Sequence, residues 1–547
     1  MFTHRQPPNI VFIVLDTQRS DRLGCYGYPR GTTPHLDAFA QKATVFENAI
    51  APAQWTVPSH ASMFTGEPPS THMTLQSTDS LHPDFKTLAE HLEARGYRRT
   101  GICNNPLVGL INNNLKRGFD AFYNYCGTVQ SRASDYARVS AHVRAPAPVR
   151  VLWRRSVSRV ARQTLQGVVA PIQDAFGRYS QVFQAALNPL CVPLWTRFAR
   201  FKGDTPRSIR DAARSVDQHV ANSPRPGENG QPHFIFINLM EPHLPYSPPD
   251  RFVQAFAPYV REDGEAHSFM RSFNRQALHW ITPTARPFSE LQARTLSDMY
   301  DAEVAYQDHL LAELLSVLER PEHRDNTLVI LVGDHGEMLG ERQYVGHAFG
   351  VYRELVHVPL IVRWPGQREG KRLAPIVSAT RLFHTVLEAA GAEVCETSYG
   401  HTMDIQGQSL RNETNRAGTP GRTVVSEAYA PEFALRALER HKPALIDPLG
   451  CRATHWAVYQ GAHKLIHIQD TRDELYNVAD DPMERNTLRV NGGDPDARRL
   501  RSGLKTFLEQ AHAYRPNGHR LEGWSAPKVE LKDELVQKRL RGLGYIE

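Results

Sequence analysis

Several features that would settle the class of a chain at once are missing here. There is no Cys-x-x-Cys pair. The six cysteines (Cys25, Cys103, Cys126, Cys191, Cys395 and Cys451) are scattered over 547 residues. That pattern excludes a disulfide scaffold or a thiolate metal cluster and leaves reduced, buried thiols as the reading. No run reaches the ~18 apolar residues of a membrane-spanning helix. Before the first strand-like run at Asn9 the chain reads MFTHRQPP. This stretch lacks the basic, apolar and small-residue regions of a secretory signal, so a cytoplasmic location is the expectation. Excess charge is scarce too. A net +6 at this length is no argument for nucleic acid, and no nucleic-acid-binding module is found, but it suits an anionic substrate.

What is present is ordinary globular material, 41% apolar and 22% charged. The length predicts a large domain with a smaller one. Short β-branched runs read as buried strands at Asn9–Leu15, His233–Met240, Thr327–Gly333 and His357–Arg363. Between them lies a helix over Asp301–Leu318, with Val304, Leu311, Leu314, Leu315 and Leu318 on one side. Strands alternating with helices predict an α/β fold with a mostly parallel sheet, whose ligands bind at the carboxyl ends of strands. Asp16, Glu241-Pro242-His243 and Asp334-His335 each follow a strand directly. After about residue 410 the runs Thr423–Tyr429, Trp456–Gln460 and His463–Ile468 predict a smaller antiparallel unit. The expected division is 1–410 and 411–547, with a charged helical tail from Val529.

Residues 140–222 stand apart. No acidic residue lies between Tyr136 and Gln173, while Arg144, Arg150, Arg154, Arg155, Arg159 and Arg162 do. On a helical wheel Trp153, Val157, Val160 and Thr164 share a face opposite Arg155, Arg159 and Arg162. A packing or lid helix with a solvated basic face is the favoured reading. Peripheral contact with an anionic membrane is the alternative.

Two stretches carry chemistry. In Asp334-His335-Gly336-Glu337, an acid and an imidazole follow a strand. With Asp16 they would suit Zn²⁺, Mn²⁺ or a related divalent ion, although many Asp-His pairs are only caps or salt bridges. In Trp55-Thr56-Val57-Pro58-Ser59-His60 a hydroxyl opens a predicted helix. Thr56 or Ser59 would serve there as an N-cap. Alternatively Thr56 is a nucleophile in the positive field of a helix N-terminus, with a metal lowering its pKa.

Asn9–Asp21, Gly24-Cys25-Tyr26-Gly27, Thr33-Pro34-His35-Leu36-Asp37 and Thr56–His60 together resemble the opening of the sulfatase family, within the alkaline phosphatase superfamily. Arg117–Asp120, Glu241–Tyr246, Asp334–Glu337, Val358–Ile361 and Glu474–Asn477 with Asp481-Pro482 continue the resemblance in family order. It implies an alkaline-phosphatase-like sandwich: a large mixed, mostly parallel sheet flanked by helices, with a small C-terminal antiparallel α+β subdomain. It implies one divalent metal (Mn, Zn, Ca or Mg) held by Asp16, Thr56, Asp334 and His335. It also implies polar groups around the transferred anion, for which His60, His243 and His347 are the candidates, with Asn104 or Asn105 as a further contact. Arg19 is expected to be a structural partner for carboxylates.

This chain departs from the family at the nucleophile. True sulfatases carry Cys or Ser there, converted to formylglycine, and an arginine four residues on; here stand Thr56 and His60. No formylglycine is expected. A formylglycine hydrate expels sulfate by breaking its own C–O bond, which a plain threonine cannot do. Its ester must be cleaved by water at phosphorus or sulfur. Thr17 replaces a second acid, as in the phosphonate-monoester-hydrolase-like branch, and this supports one metal ion. Lipoteichoic-acid-synthase-like enzymes have a similar set. The expected function is hydrolysis of a phosphate mono- or diester through Thr56, on a small or a glycan- or lipid-linked substrate. The alternatives are a sulfate-ester hydrolase without formylglycine, a phosphotransferase for a lipid- or glycan-linked group, and a non-catalytic binding protein.

Overall fold

The computed structural model describes residues 7–126, 202–221, 231–276, 280, 282–392, 394–396, 402–404, 408–413, 423–488, 494–513 and 525–529. The expected basic helix around Trp153 and most of the C-terminal tail lie outside these residues.

The large sheet uses β1 (Asn9–Leu15), β2 (Thr44–Ile50), β3 (Arg98–Cys103), β4 (Ala121–Asn124), β5 (His233–Leu239), β6 (Thr327–Gly333), β7 (Leu360–Arg363) and β8 (Lys371–Ser378). Their order is β8-β2-β7-β6-β1-β5-β3-β4, and a short ninth strand, His357–Val358, pairs with β2. Contacts among β6, β1, β5, β3 and β4 are parallel, whereas β7 runs antiparallel to both neighbours. The expected strand His357–Arg363 is therefore two pieces. Pro359, which has no N–H for a ladder, separates them.

β1 shows why the sheet is central. Ile10, Phe12 and Val14 enter one core, while Val11, Ile13 and Leu15 enter another. With period-two side chains, a strand that is apolar throughout must be covered on both faces. One cover contains α1 (Thr56–Thr65), through Ala61, Met63 and Phe64. On that same face the described helices α2 (Thr205–Ala221) and α3 (Glu290–Leu318) are absent; both pack on the other. The expected apolar positions of α3 are all buried, but the helix begins eleven residues before Asp301. Ser289 and Gln292 form a capping box there.

Strands β9 (Val424–Ala428), β10 (His455–Gln460), β11 (His463–Ile468) and β12 (Arg472–Asn477) form a separate antiparallel sheet. It shares a core with the large sheet: Ile50, Met338 and Leu355 pack with Ala457, Ile466 and Tyr476. Among the described residues, Cys25, Cys103 and Cys451 are free thiols, the last two buried. No described helix is long and apolar enough to cross a membrane.

Candidate active site

The parallel register brings separate motifs to one place. Leu15 pairs with Leu239 on one side and Gly333 on the other, and Cys103 pairs with Asn238. Asp16, Asp334 and Asn105 consequently emerge from the carboxyl ends of β1, β6 and β3, where open α/β sheets bind ligands. Thr17 turns the chain at φ 56°. The turn is pinned by Thr17 N–H donating to Asp334 Oδ1 at 3.2 Å and by the Tyr300 hydroxyl donating to Thr17 C=O at 2.7 Å.

One ligand atom from each of Asp16, Asp334 and His335 lies within 4.8 Å of the others, and all three residues are fully buried. Asp16 Oδ2 accepts from Asn105 Nδ2 at 2.6 Å, and Asp334 Oδ1 accepts the His335 N–H at 2.9 Å. Their other oxygens, Asp16 Oδ1 and Asp334 Oδ2, have no hydrogen-bond partner. The His335 tautomer is fixed as well. Nδ1–H donates to Gly336 C=O at 2.9 Å, leaving Nε2 as a lone pair 3.8 Å from Asp16 Oδ1 and 3.5 Å from Asp334 Oδ2. Thr56 Oγ1 lies 3.3 Å from the same nitrogen. Two bare, buried carboxylate oxygens, one imidazole lone pair and one hydroxyl fit a single divalent cation.

Electrostatics make the same point. Burial, then repulsion from Asp334, raises the Asp16 pKa well above the carboxylate range. Burial raises Asp334 to about 8. Burial, with repulsion from His347 adding to it, lowers His335 to about 4. A bound cation would favour the charged carboxylates and the neutral imidazole.

Thr56 occupies the first turn of α1, whose N-cap is Trp55 with no side-chain cap bond. Neither Thr56 nor Ser59 is therefore the cap. Ser59 instead donates to Asp334 C=O at 2.7 Å, tying the helix to the metal loop. His60 lies wholly buried one turn on. Its Nδ1–H donates to Thr56 C=O at 2.9 Å and its Nε2 accepts from Asn238 Nδ2 at 3.3 Å. Both nitrogens are thus engaged within the protein, and burial holds the ring neutral with a pKa of about 3.

His335, His347 and His243 form a row. Ring centroids are 4.6 Å apart for the first pair and 5.0 Å for the second. His347 Nδ1–H donates to Glu337 Oε1 at 2.9 Å, and His243 Nδ1–H donates to Leu244 C=O at 2.6 Å. Burial lowers His347 to about 3, and burial with repulsion from His347 lowers His243 to about 3. Of the two asparagines, Asn105 reaches the site through Asp16. Asn104 turns away, donating to Thr205 Oγ1 and Lys202 C=O. Arg19 binds carboxylates as expected: Asp21 and, at 2.6 Å, Glu341.

Sequence reasoning named no role for Glu337, Asn238 or Tyr300. Asn238 carried a signal, since it is the one amide within the otherwise apolar end of the run Phe-Ile-Phe-Ile-Asn-Leu. Tyr300 had none, because only folding brings α3 under the Thr17 turn.

A family model for sulfatases matches residues 8–392. The chain is 23% identical over 487 residues to the uncharacterized sulfatase YidJ of Escherichia coli (strain K12), covering 88% of this chain and 83% of that one. Its fold is similar to that of the phosphonate monoester hydrolase of Agrobacterium radiobacter, with TM-score 0.57, 20% identity, and 92% and 95% of the two chains covered. It is also similar, with TM-score 0.60 and 17% identity over 95% of this chain and 100% of the other, to a protein solved with its substrate D-glucosamine-2-N,6-O-disulfate. With that match and this strand-end site, the chain belongs to the sulfatase family, as an ester hydrolase with an alkaline-phosphatase-like α/β fold.

Proposed function

We propose that the chain hydrolyses a phosphate mono- or diester through a covalent ester on Thr56, with one divalent ion held by Asp16, Thr56, Asp334 and His335. One observation carries the reading. The side chain in the nucleophile position is a threonine whose Oγ1 lies 3.3 Å from the imidazole of the buried carboxylate–histidine cluster. A threonine Cβ bears no second hydroxyl to expel an anion by C–O cleavage. Release therefore needs attack on the transferred atom, a step that suits phosphorus.

When bound, the ion (Mn, Zn, Ca or Mg) supplies Lewis-acid stabilisation and an ionised hydroxyl. The chain's own groups do the rest. Thr56 Oγ attacks phosphorus in line as the P–O bond to the leaving group breaks. The first turn of α1 adds its backbone field. His60 acts as a positioning residue, holding the Thr56 carbonyl. Glu337 fixes the His347 tautomer with Nε2 bare, so that His347, neutral at rest and beside His243, takes up at Nε2 the proton that Thr56 gives up and passes it to the leaving oxygen. Water then attacks phosphorus, the Thr56 Oγ–P bond breaks, and the hydroxyl is restored. No formylglycine takes part.

Two other readings have support of their own. The relative YidJ carries the name sulfatase, which favours a sulfate ester cleaved through the same Thr56. Residues 127–201 hold eleven arginines against two aspartates in a chain of net +6. That favours a lipid- or glycan-linked substrate, with acceptor transfer and contact with an anionic membrane.

A panel of aryl phosphate monoester, phosphodiester, phosphonate and sulfate esters tests these readings on the metal-loaded protein. The expected result is preferred turnover of a phosphate ester, lost in Thr56→Ala. Preferred turnover of the sulfate would replace this reading with the first alternative. Alkyl-phosphate product in glycerol-containing buffer, outpacing phosphate release, would replace it with the second.

A further inference from the structure

We infer that Glu484, in the C-terminal unit, is a positioning residue for the metal-binding loop, acting through Arg342 and the chain segment at 351–355. The inference rests on the metal-site reading above.

The loop 334–337 has no regular structure to hold it. Ser59 holds its start through Asp334 C=O and Arg19 its end through Glu337 C=O at 3.1 Å, and between them two backbone bonds tie it to the 354–355 segment: Gly336 N–H to Leu355 C=O at 2.7 Å and Glu337 N–H to Glu354 C=O at 3.2 Å. Whatever fixes residues 354 and 355 therefore helps to fix His335, which precedes Gly336 directly. On its far side, that segment is held from the C-terminal unit. Glu484 Oε2 accepts the Arg353 N–H at 3.1 Å. Glu484 Oε1 accepts from Lys464 Nζ at 2.7 Å, and the same ammonium donates to Val351 C=O at 2.8 Å. Arg342 closes the network by donating to Glu354 Oε1 at 2.9 Å and to Glu484 C=O at 2.6 Å.

Net stability is a weak account of this arrangement. Lys464 is wholly buried and Glu484 nearly so, and a buried ion pair gains little over an apolar replacement of similar shape. Glu484 also stands at φ 54°, a region disfavoured for a side chain with Cβ. What the network does supply is direction. Two fixed charges, Glu484 and Lys464, meet main-chain groups on the segment that the metal loop is bonded to, and a third, Arg342, meets the Glu354 side chain, as a supporting shell does for ligands that must be held to fractions of an ångström.

The test is calorimetric titration of Mn²⁺ into the full-length chain after chelator treatment, with circular dichroism and melting curves alongside. Arg342→Gln and Glu484→Gln are expected to stay folded, to bind Mn²⁺ about tenfold more weakly, as measured for other outer-shell partners of metal ligands, and to lower kcat with little change in KM. The double variant is expected to be no weaker than about the worse single, because both act on one segment. Arg452→Gln, which breaks only an exposed pair with Glu439, should leave Mn²⁺ affinity unchanged. Mn²⁺ affinity within about twofold of wild type in folded Arg342→Gln overturns the inference, including where Glu484→Gln does not fold. A wild-type chain that takes up none of Mn²⁺, Zn²⁺, Ca²⁺ or Mg²⁺ overturns the metal-site reading and this inference together.

Discussion

Gly336→Ala tests the metal loop without touching a ligand. A Cβ at Gly336 would stand 2.0 Å from the Glu354 carbonyl oxygen and 3.0 Å from its carbon. That oxygen cannot swing aside freely, since it accepts the Glu337 N–H at 3.2 Å. Arg19 Cγ, 3.3 Å from the same Cβ position, blocks a second direction. Relief needs a backbone shift of about 1 Å, and overpacking of this kind costs roughly 1–3 kcal/mol. The residue displaced is the neighbour of His335. A misplacement of that size costs about 10²-fold in rate. The assay is kcat on whichever ester the wild type turns over, with Mn²⁺ titration and a melting curve. A folded variant with kcat near 1% of wild type and weakened Mn²⁺ binding is expected. Gly264→Ala is the control: beyond its chain neighbours and its own helix backbone, no atom lies within 4 Å of its Cβ position, so its effect should stay within about 0.5 kcal/mol. Wild-type kcat and Mn²⁺ affinity in Gly336→Ala would refute the claim that the Leu355–Glu354 backbone sets the ligand position.

His347→Gln should reduce kcat about 10²-fold on an alkyl phosphate, whose leaving oxygen needs a proton, and far less on a nitrophenyl phosphate; equal losses would remove His347 as the acid. Chelation should lower the melting temperature by leaving the Asp16 and Asp334 carboxylates facing each other unpaired. Restoring the ion at 100 times its Kd should return about 2.7 kcal/mol, and superimposable curves with and without chelator would count against the site. Stability should also fall with acidity through His72, which is not one of the proposed metal ligands. Its Nδ1 accepts the Thr74 N–H at 3.0 Å, and burial lowers its pKa from 6.5 to about 3. The unfolded chain gains a proton below about 6.5 while the folded one does not. The contribution is therefore complete above 6.5 and is lost as pH falls toward 3. Urea unfolding of wild type and His72→Gln at pH 7, 5.5 and 4.5 checks this, with a smaller loss expected in the variant.

Most of the fold was legible because its strands are buried on both faces. After their polar first residues, Asn9–Leu15 and Thr327–Gly333 are uninterrupted apolar runs, and the structure keeps those boundaries. The edge strand β8 was not legible: its Lys371-Arg372 start is exposed, so it carries no continuous apolar signal. Helix α3 was read eleven residues short because its first three turns alternate polar and apolar positions, and only the Ser289–Gln292 box marks the true start.

By itself the sequence determined the chemistry available. It supplied the acids that follow strands, the Asp-His pair, and a threonine where formylglycine would be made. These are local facts, written in residue type and spacing. Only the tertiary structure decided which groups meet. Parallel pairing of β3, β5, β1 and β6 places Asn105, Asp16 and Asp334 side by side although they are up to hundreds of residues apart. Packing of α1 then turns His60 inward to hold Thr56, and the 337–347 stretch folds back to set His347 on Glu337. Hydrogen-bond partners across such distances depend on register and packing, which no short window of sequence contains.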